Sequence, residues 1–362
     1  MEPLMKAKRL FTYDPDYAVL PGETLQEVME SFGMTQKDLA ARADLTVQSL
    51  IRIFKGEQPI SYETANKLEL VTNVPARMWN NLESNYREQL AKLDERAQLA
   101  KDLEWLNDIP VRELINRGEV AEHKDKVLQF REILGFYGTS SVKAWHDVWD
   151  LPAVAARRSP CFESRPGPAS AWIRLGERAA HKVECADYDE NRFKDALKEI
   201  RSLTCKDSKI FQPAMQKLCA ESGVALALVP EMKKVPWHGA TEWLSPKKAM
   251  ILLNLRGKRE DKFWFSFFHE AGHILHDGKK YLFINDDSET DPREKRANEF
   301  AGRFLIPNEY NAEIKNASSD VELRAIAAEL DVAPGIVAGR YQFLTRKWNY
   351  HKELIRSFKW AE

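Results

Sequence analysis

Along most of this chain the apolar positions recur every three or four residues, the rhythm of a helix with one buried face. Leu25, Val28, Met29 and Phe32 make the first such run, which Gly33 closes. Thr35 and Asp38 open the next with the pattern of a capping box, and its Leu39, Ala40 and Ala43 face inward. Asp44–Thr46 reads as a turn. Val47–Phe54 reads as a third helix stopped at Lys55 and Gly56, and Ser61–Val71 and Pro75–Leu90 as two more. Two short helices joined by a turn of three or four residues are the helix-turn-helix pattern.

Residues 91–160 continue helical, rich in charge and in tryptophan (Trp105, Trp145, Trp149), and Ser164–Pro168 is the clearest break. Ala169–Cys185 and Asp189–Leu203 resume helical spacing. Cys219–Pro230, Thr241–Leu244 and Lys248–Leu255 are short apolar or alternating runs that predict strands. The last of them reads as an edge strand able to take up an extended peptide by strand addition. Asp261–His276 and Pro292–Leu305 are amphipathic helices, followed by Val321–Leu330 and Pro334–Leu344. That final pair repeats the earlier rhythm, Ile326–Val332 beside Leu39–Leu45, and reads as a plain helical hairpin. The expected fold is mainly α with a small β-sheet (α+β). Its parts are an N-terminal segment (1–20), a helix-turn-helix domain (21–95), a helical intermediate region (96–164) and a C-terminal domain (165–362).

The C-terminal domain carries the chemistry. Residues 269–273 read H-E-A-G-H. A helix turns about 100° per residue, so His269 and His273 point the same way and can share one zinc ion, while Glu270 can act on a water activated there. Trp264, Phe267, Phe268, Ala271, Ile274 and Leu275 form the apolar stripe of that helix, and Gly278 is a plausible stop. Glu294, twenty-one residues after His273, lies on the inward side of the following helix with Ala297, Phe300, Ala301 and Phe304. A carboxylate facing a core needs a partner, zinc or an arginine. Glu299 is the rival ligand, but it sits roughly 140° round the helix from Glu294. Two histidines, one carboxylate and an open position make a catalytic rather than a structural zinc site. His276 and Lys279 stand where the metzincin pattern needs glycine and histidine, which excludes that class. His276 reads as a helix-end cap. The sequence assigns no residue to stabilise an oxyanion; Tyr281 and Tyr341 are no more than candidates. The reaction expected is peptide-bond hydrolysis with Glu270 as general base.

Composition narrows the setting. A net charge of −1 over 362 residues provides no global field to recruit nucleic acid or acidic membrane. Cys161, Cys185, Cys205 and Cys219 show no C-x-x-C pairing and fit a reduced, cytoplasmic protein. No apolar run is long enough to span a bilayer, and no secretory signal is apparent. Residues 21–61 hold four Lys or Arg against six Asp or Glu, a poor footprint for phosphate. The polar residues at the second helix are nonetheless suited to bases: Gln36 opens one helix, and Thr46, Gln48, Ser49 and Arg52 populate the next. Val47 and Ile51 place apolar side chains among them, for thymine methyls or a protein partner.

Pro21–Glu23, Ser31–Ala40, Phe54–Ser61 and Met78–Tyr86 together resemble the HigA-type antitoxin domain, a helix-turn-helix family of the Cro/C1-repressor class. Phe265–His276, Glu294–Ala301 and Phe304–Pro307 resemble the ImmA/IrrE family of metallopeptidases. These resemblances imply a zincin-like domain with Zn2+ on His269, His273 and Glu294 and with Glu270 catalytic. They also imply operator DNA as a partner of a homodimer, approached by Gln36, Thr46, Gln48, Ser49 and Arg52. Residues 91–164 match neither core. Two readings follow: a regulator whose zinc endopeptidase cuts one specific regulatory protein, or a non-proteolytic antitoxin that binds operator and toxin and uses the zinc domain as sensor or scaffold.

Overall fold

A computed structural model describes residues 17–150, 166–279, 282–285 and 291–360. The basic cluster Lys6–Arg9 of the N-terminal segment, Cys161 and Tyr281 lie outside the described residues. The chain divides into two compact units, Met1–Leu103 and Glu104–Glu362.

Among the described residues the first unit holds five α-helices: α1 (Pro21–Ser31), α2 (Gln36–Arg42), α3 (Val47–Phe54), α4 (Tyr62–Thr72) and α5 (Ala76–Leu99). Local chemistry sets their ends. Pro21 occupies the first turn of α1, Thr35 and Asp38 close the expected capping box on α2, and Thr46 Oγ1 accepts from Ser49 N at the start of α3. Leu25, Leu39, Leu50, Ile53, Leu68 and Trp79 are fully or nearly fully buried in one core. A methyl group on Gly22 would sit 2.4 Å from the Phe54 Cα, so only glycine lets α1 approach α3 this closely. The turn between α2 and α3 uses Asp44 at φ 51°, in the left-handed region that aspartate tolerates better than most residues.

The second unit opens with α6 (Val111–Asn116), α7 (Lys126–Tyr137) and α8 (Val142–Asp150). Its three sequence-conspicuous tryptophans form an edge-to-face cluster: Trp105 packs on Phe130 and Trp145, and Tyr137 on Trp149. The Tyr137 hydroxyl reaches Gly167 O and Ser170 Oγ on α9 (Pro166–His181). The residues read as a break, Pro166–Pro168, instead open this helix, where prolines lose no hydrogen bond. α9 ends at His181, short of Cys185. α10 (Glu190–Ser202) and α11 (Ser208–Glu221) precede a four-stranded sheet of β1 (Val224–Leu228), β2 (Gly239–Ser245), β3 (Lys248–Leu253) and β4 (Phe283–Asn285). Cys219 is therefore helical, not the start of a strand. Gly223, at φ 86°, turns the chain from α11 into β1.

The strand order is β1-β3-β2-β4, with β1 parallel to β3 and the other neighbours antiparallel. Lys248–Leu253 is thus an interior strand, paired on both sides and buried, and the expectation that it takes up a peptide at a free edge fails. The remaining helices are α12 (Glu260–His276), α13 (Pro292–Leu305), α14 (Asn311–Asn316), α15 (Asp320–Glu329) and α16 (Pro334–Thr345). Alternate strand residues Val224, Leu226, Ala249, Ile251 and Leu253 share a core with Phe267, Phe268 and Ala271 of α12. On the other face, Leu252 meets α9 at Gly176, where a methyl group would lie 2.5 Å from the leucine. The fold is mainly helical with one small sheet, as the hydrophobic pattern implies. Among the described residues no helix is long and apolar enough to cross a membrane.

Candidate metal centre

α12 is buried on nearly every side. Phe263, Trp264, Phe267 and Phe268 lie in the core, and His269, Glu270 and His273 are equally buried. Polar side chains in such a place need partners. α13 supplies one. Its start is set by Pro292 and by Asp291, whose side chain accepts from Arg293 N, and this places Glu294 in the first turn. Gly272 lets the two helices close up: a methyl group there would be 3.1 Å from Phe300 and 3.3 Å from the Ala297 Cα.

The ligand atoms of His269, His273 and Glu294 all lie within 4.8 Å of one another. His269 Nε2 is 3.1 Å from His273 Nε2 and 3.0 Å from Glu294 Oε2, and His273 Nε2 is 3.3 Å from Glu294 Oε1. The opposite ring nitrogens are held from outside. His269 Nδ1 is 2.9 Å from Asn298 Oδ1, and His273 Nδ1 is 2.8 Å from Asp277 Oδ2. Those oxygens only accept, so each Nδ1 donates and a neutral ring presents a bare Nε2 lone pair. Two lone pairs and a carboxylate then converge with no donor among them. Only a cation holds such a cluster together. Ligands at about 2.1 Å from a tetrahedral zinc are about 3.4 Å apart, close to the separations seen, so the residues fit the ion.

Without metal a proton takes that place. Burial works against charging His273, but hydrogen bonds to Asp277 and Glu294 outweigh it and raise its pKa from 6.5 to about 9. Burial likewise opposes the Glu294 charge, and the bonds from His269 and His273 overcome it, lowering its pKa to about 2.

The sheet supplies the rest of the site. β2 register sets Gly239 opposite Leu253 and Thr241 opposite Ile251, and β4 sets Phe283 opposite Thr241. All three lie on the face beneath α12. Thr241 Oγ1 donates to Glu270 Oε2 at 2.6 Å. Glu270 Oε1 is buried and has no hydrogen-bond partner among the described residues. A methyl group on Gly239 would sit 2.6 Å from that oxygen. Burial raises the Glu270 pKa, against the pull of His269 and His273. Phe283 stacks on His273 with ring centroids 4.3 Å apart. Arg296 pairs with Asp277 on its outer oxygen.

Other expected residues fall elsewhere. Glu299 is exposed on α13 and is not among the clustered ligand atoms. Tyr341 packs against His351, 4.6 Å between ring centroids. His276, expected to cap its helix end, sets its ring edge-on to Phe300, and burial and Arg296 lower its pKa. In the first unit Gln36, Thr46, Gln48 and Arg52 are exposed. Ser49 is half-buried, and its hydroxyl accepts from Gln58 Nε2 at 2.7 Å. Sequence spacing alone could have found Asn298 and Asp277, four residues after Glu294 and His273. It gave no sign of Gly239, Thr241 or Phe283.

Comparison with known families agrees with both motifs. Residues 229–341 match the M78 peptidase family model, described as the IrrE N-terminal-like domain, and residues 25–79 match a helix-turn-helix model. The first match runs from before β2 to within α16 and contains every residue of the candidate centre. Nothing among the curated proteins matches the chain. The chain thus carries an N-terminal helix-turn-helix domain and a C-terminal M78 peptidase domain.

Proposed function

We propose that the chain is a regulator, antitoxin-like in its first unit, whose second unit is a zinc-dependent endopeptidase acting on one specific regulatory protein. The observation that carries this reading is the convergence of three lone-pair ligands beside a buried carboxylate with one free oxygen. His269, His273 and Glu294 hold the metal. Zinc, when bound, polarises the scissile carbonyl and lowers the pKa of water. Glu270 takes the proton of the attacking water at Oε1 and returns it to the leaving amine. Thr241 fixes Oε2, so the free oxygen keeps one orientation. Asn298 and Asp277 hold the imidazole tautomers that leave Nε2 unprotonated.

Gln36, Gln48 and Arg52 approach operator DNA, with Thr46 and Ser49 serving the helix start as well. A toxin-like partner and a homodimer belong to the same proposal. The test is metal analysis together with a cleavage assay on the products of adjacent genes. Wild type with zinc is expected to cut one of them, and Glu270→Gln to bind metal and cut none. Intact products with zinc-loaded wild type, alongside operator binding lost in the Gln48→Ala, Arg52→Ala double variant, would leave the non-proteolytic antitoxin instead.

A further inference from the structure

α12, α13 and α16 enclose a groove of about 1060 Å³. His238, Phe265 and Asn298 are among the residues that line it. Asn298 is the residue bonded to His269 Nδ1, and the Phe265 ring centroid is 6.3 Å from that of His269. The groove therefore adjoins the candidate centre on the Nδ1 side of His269. Leu305, Ile306 and Ile336 give it a buried apolar lining, while Phe343 and Trp348 stand exposed at its rim.

The walls are cationic. Lining residues include six Lys or Arg against only Asp261 and Glu299, a surplus of four in a chain whose net charge is −1. Arg259 is spent on Asp261 at 2.6 Å. Arg340 bonds the neutral Asn311, and Arg346 lies over the Phe343 ring. Lys262, Lys295 and Arg303 are exposed and form no ion pair among the described residues. Lys262 and Phe265 precede His269 by seven and four residues, so the three share one face of α12. Lys262 is roughly 10 Å along the axis from His269, the span of about three extended residues.

We infer that this groove takes the substrate protein by a segment mixing acidic with aromatic or branched aliphatic residues, its acids beginning about three residues from the bond to be cut. The inference rests on the peptidase reading of the adjoining centre and names what that centre selects.

The test uses zinc-loaded full-length Glu270→Gln protein and a short fluorescein-labelled peptide alternating Glu with Phe and Leu. Fluorescence anisotropy should show binding that weakens as salt rises. The twin with Lys for Glu, and the twin with Ser for Phe and Leu, should each bind roughly tenfold more weakly. Combining Lys262→Glu, Lys295→Glu and Arg303→Glu should reverse the charge preference without moving the thermal midpoint. If that variant misfolds, the salt dependence and the peptide ranking of the parent still decide. Equal binding of the three peptides, an unaltered preference in a folded reversed variant, or displacement of the acidic peptide by a single-stranded oligonucleotide would overturn the inference. Selective binding with no hydrolysis by wild type would remove the peptidase reading and leave the groove. Hydrolysis indifferent to peptide charge would do the reverse.

Discussion

Each imidazole of the candidate centre has one nitrogen committed outward, to Asn298 or Asp277, and that commitment leaves the inner nitrogens able to take a metal ion. Asn298→Ala or Asp277→Ala should therefore lower zinc affinity by roughly 10–100-fold while sparing the fold, as competition with a chromogenic chelator would register. Gly239→Ala acts differently. Its methyl group crowds Glu270 Oε1 and touches no ligand, so metal content should stay full while kcat falls by about 10²-fold or more. Protonation follows from the same geometry. The Glu294 pKa is depressed from 4.5 to about 2, so its contribution to metal-free stability is complete above 4.5 and lost as pH falls toward 2. The His273 pKa is raised from 6.5 to about 9, so its contribution is complete below 6.5 and lost as pH rises through 9. Thermal melts of the metal-free protein should show this pair strongest between about 4.5 and 6.5. Zinc must displace the His273 proton, so binding near pH 7 should release about one proton, seen as a dependence of the calorimetric enthalpy on buffer ionisation.

Pairs of elements decide whether these side chains meet. α13 can bring Glu294 to the histidines only because Gly272 and Ala297 let its backbone lie close to α12. Gly272→Val should push the helices apart, cost roughly 1–3 kcal/mol in a urea melt and weaken zinc binding in the same protein. Retained zinc affinity would separate packing from ligation. In the sheet, β2 register delivers Gly239 and Thr241 to the face beneath α12, while the intervening side chains point to α9. Glu242, on that other face, is half-buried, with a buried Oε2 unpartnered among the described residues, and desolvation with Glu177 nearby pushes its pKa up to about 8. A shift of one residue in β2 would exchange these roles.

At the scale of the whole chain, the two compact units each have their own core. On the proposed function, residues 104–362 expressed alone should bind zinc and hydrolyse substrate as the full chain does, and residues 17–103 should keep a helical circular dichroism spectrum. Loss of metal from the larger fragment would show that its centre needs the first unit. The aromatic cluster of Trp105, Phe130, Tyr137 and Trp145 belongs to the larger fragment, so a boundary drawn inside it would unfold that fragment.

The local code was readable without coordinates wherever chemistry and period coincide. The capping box at Thr35, the stop at Gly33, the inward stripe from Trp264 to Ile274 and the four-residue spacing of His269 and His273 depend on neighbours along one helix. The approach of Glu294 could be argued from its apolar side. What lay beyond reach depends on contacts distant in sequence. Thr241 and Gly239 are 29 and 31 residues from Glu270, and only strand register brings them beneath it. The same limit misplaced Lys248–Leu253 at an edge, because an apolar strand carries no mark of how many neighbours it pairs with. It also hid the groove, whose cations come from three helices that no single period connects. Periodicity records which face of an element is buried, and tertiary packing alone decides what lies against that face.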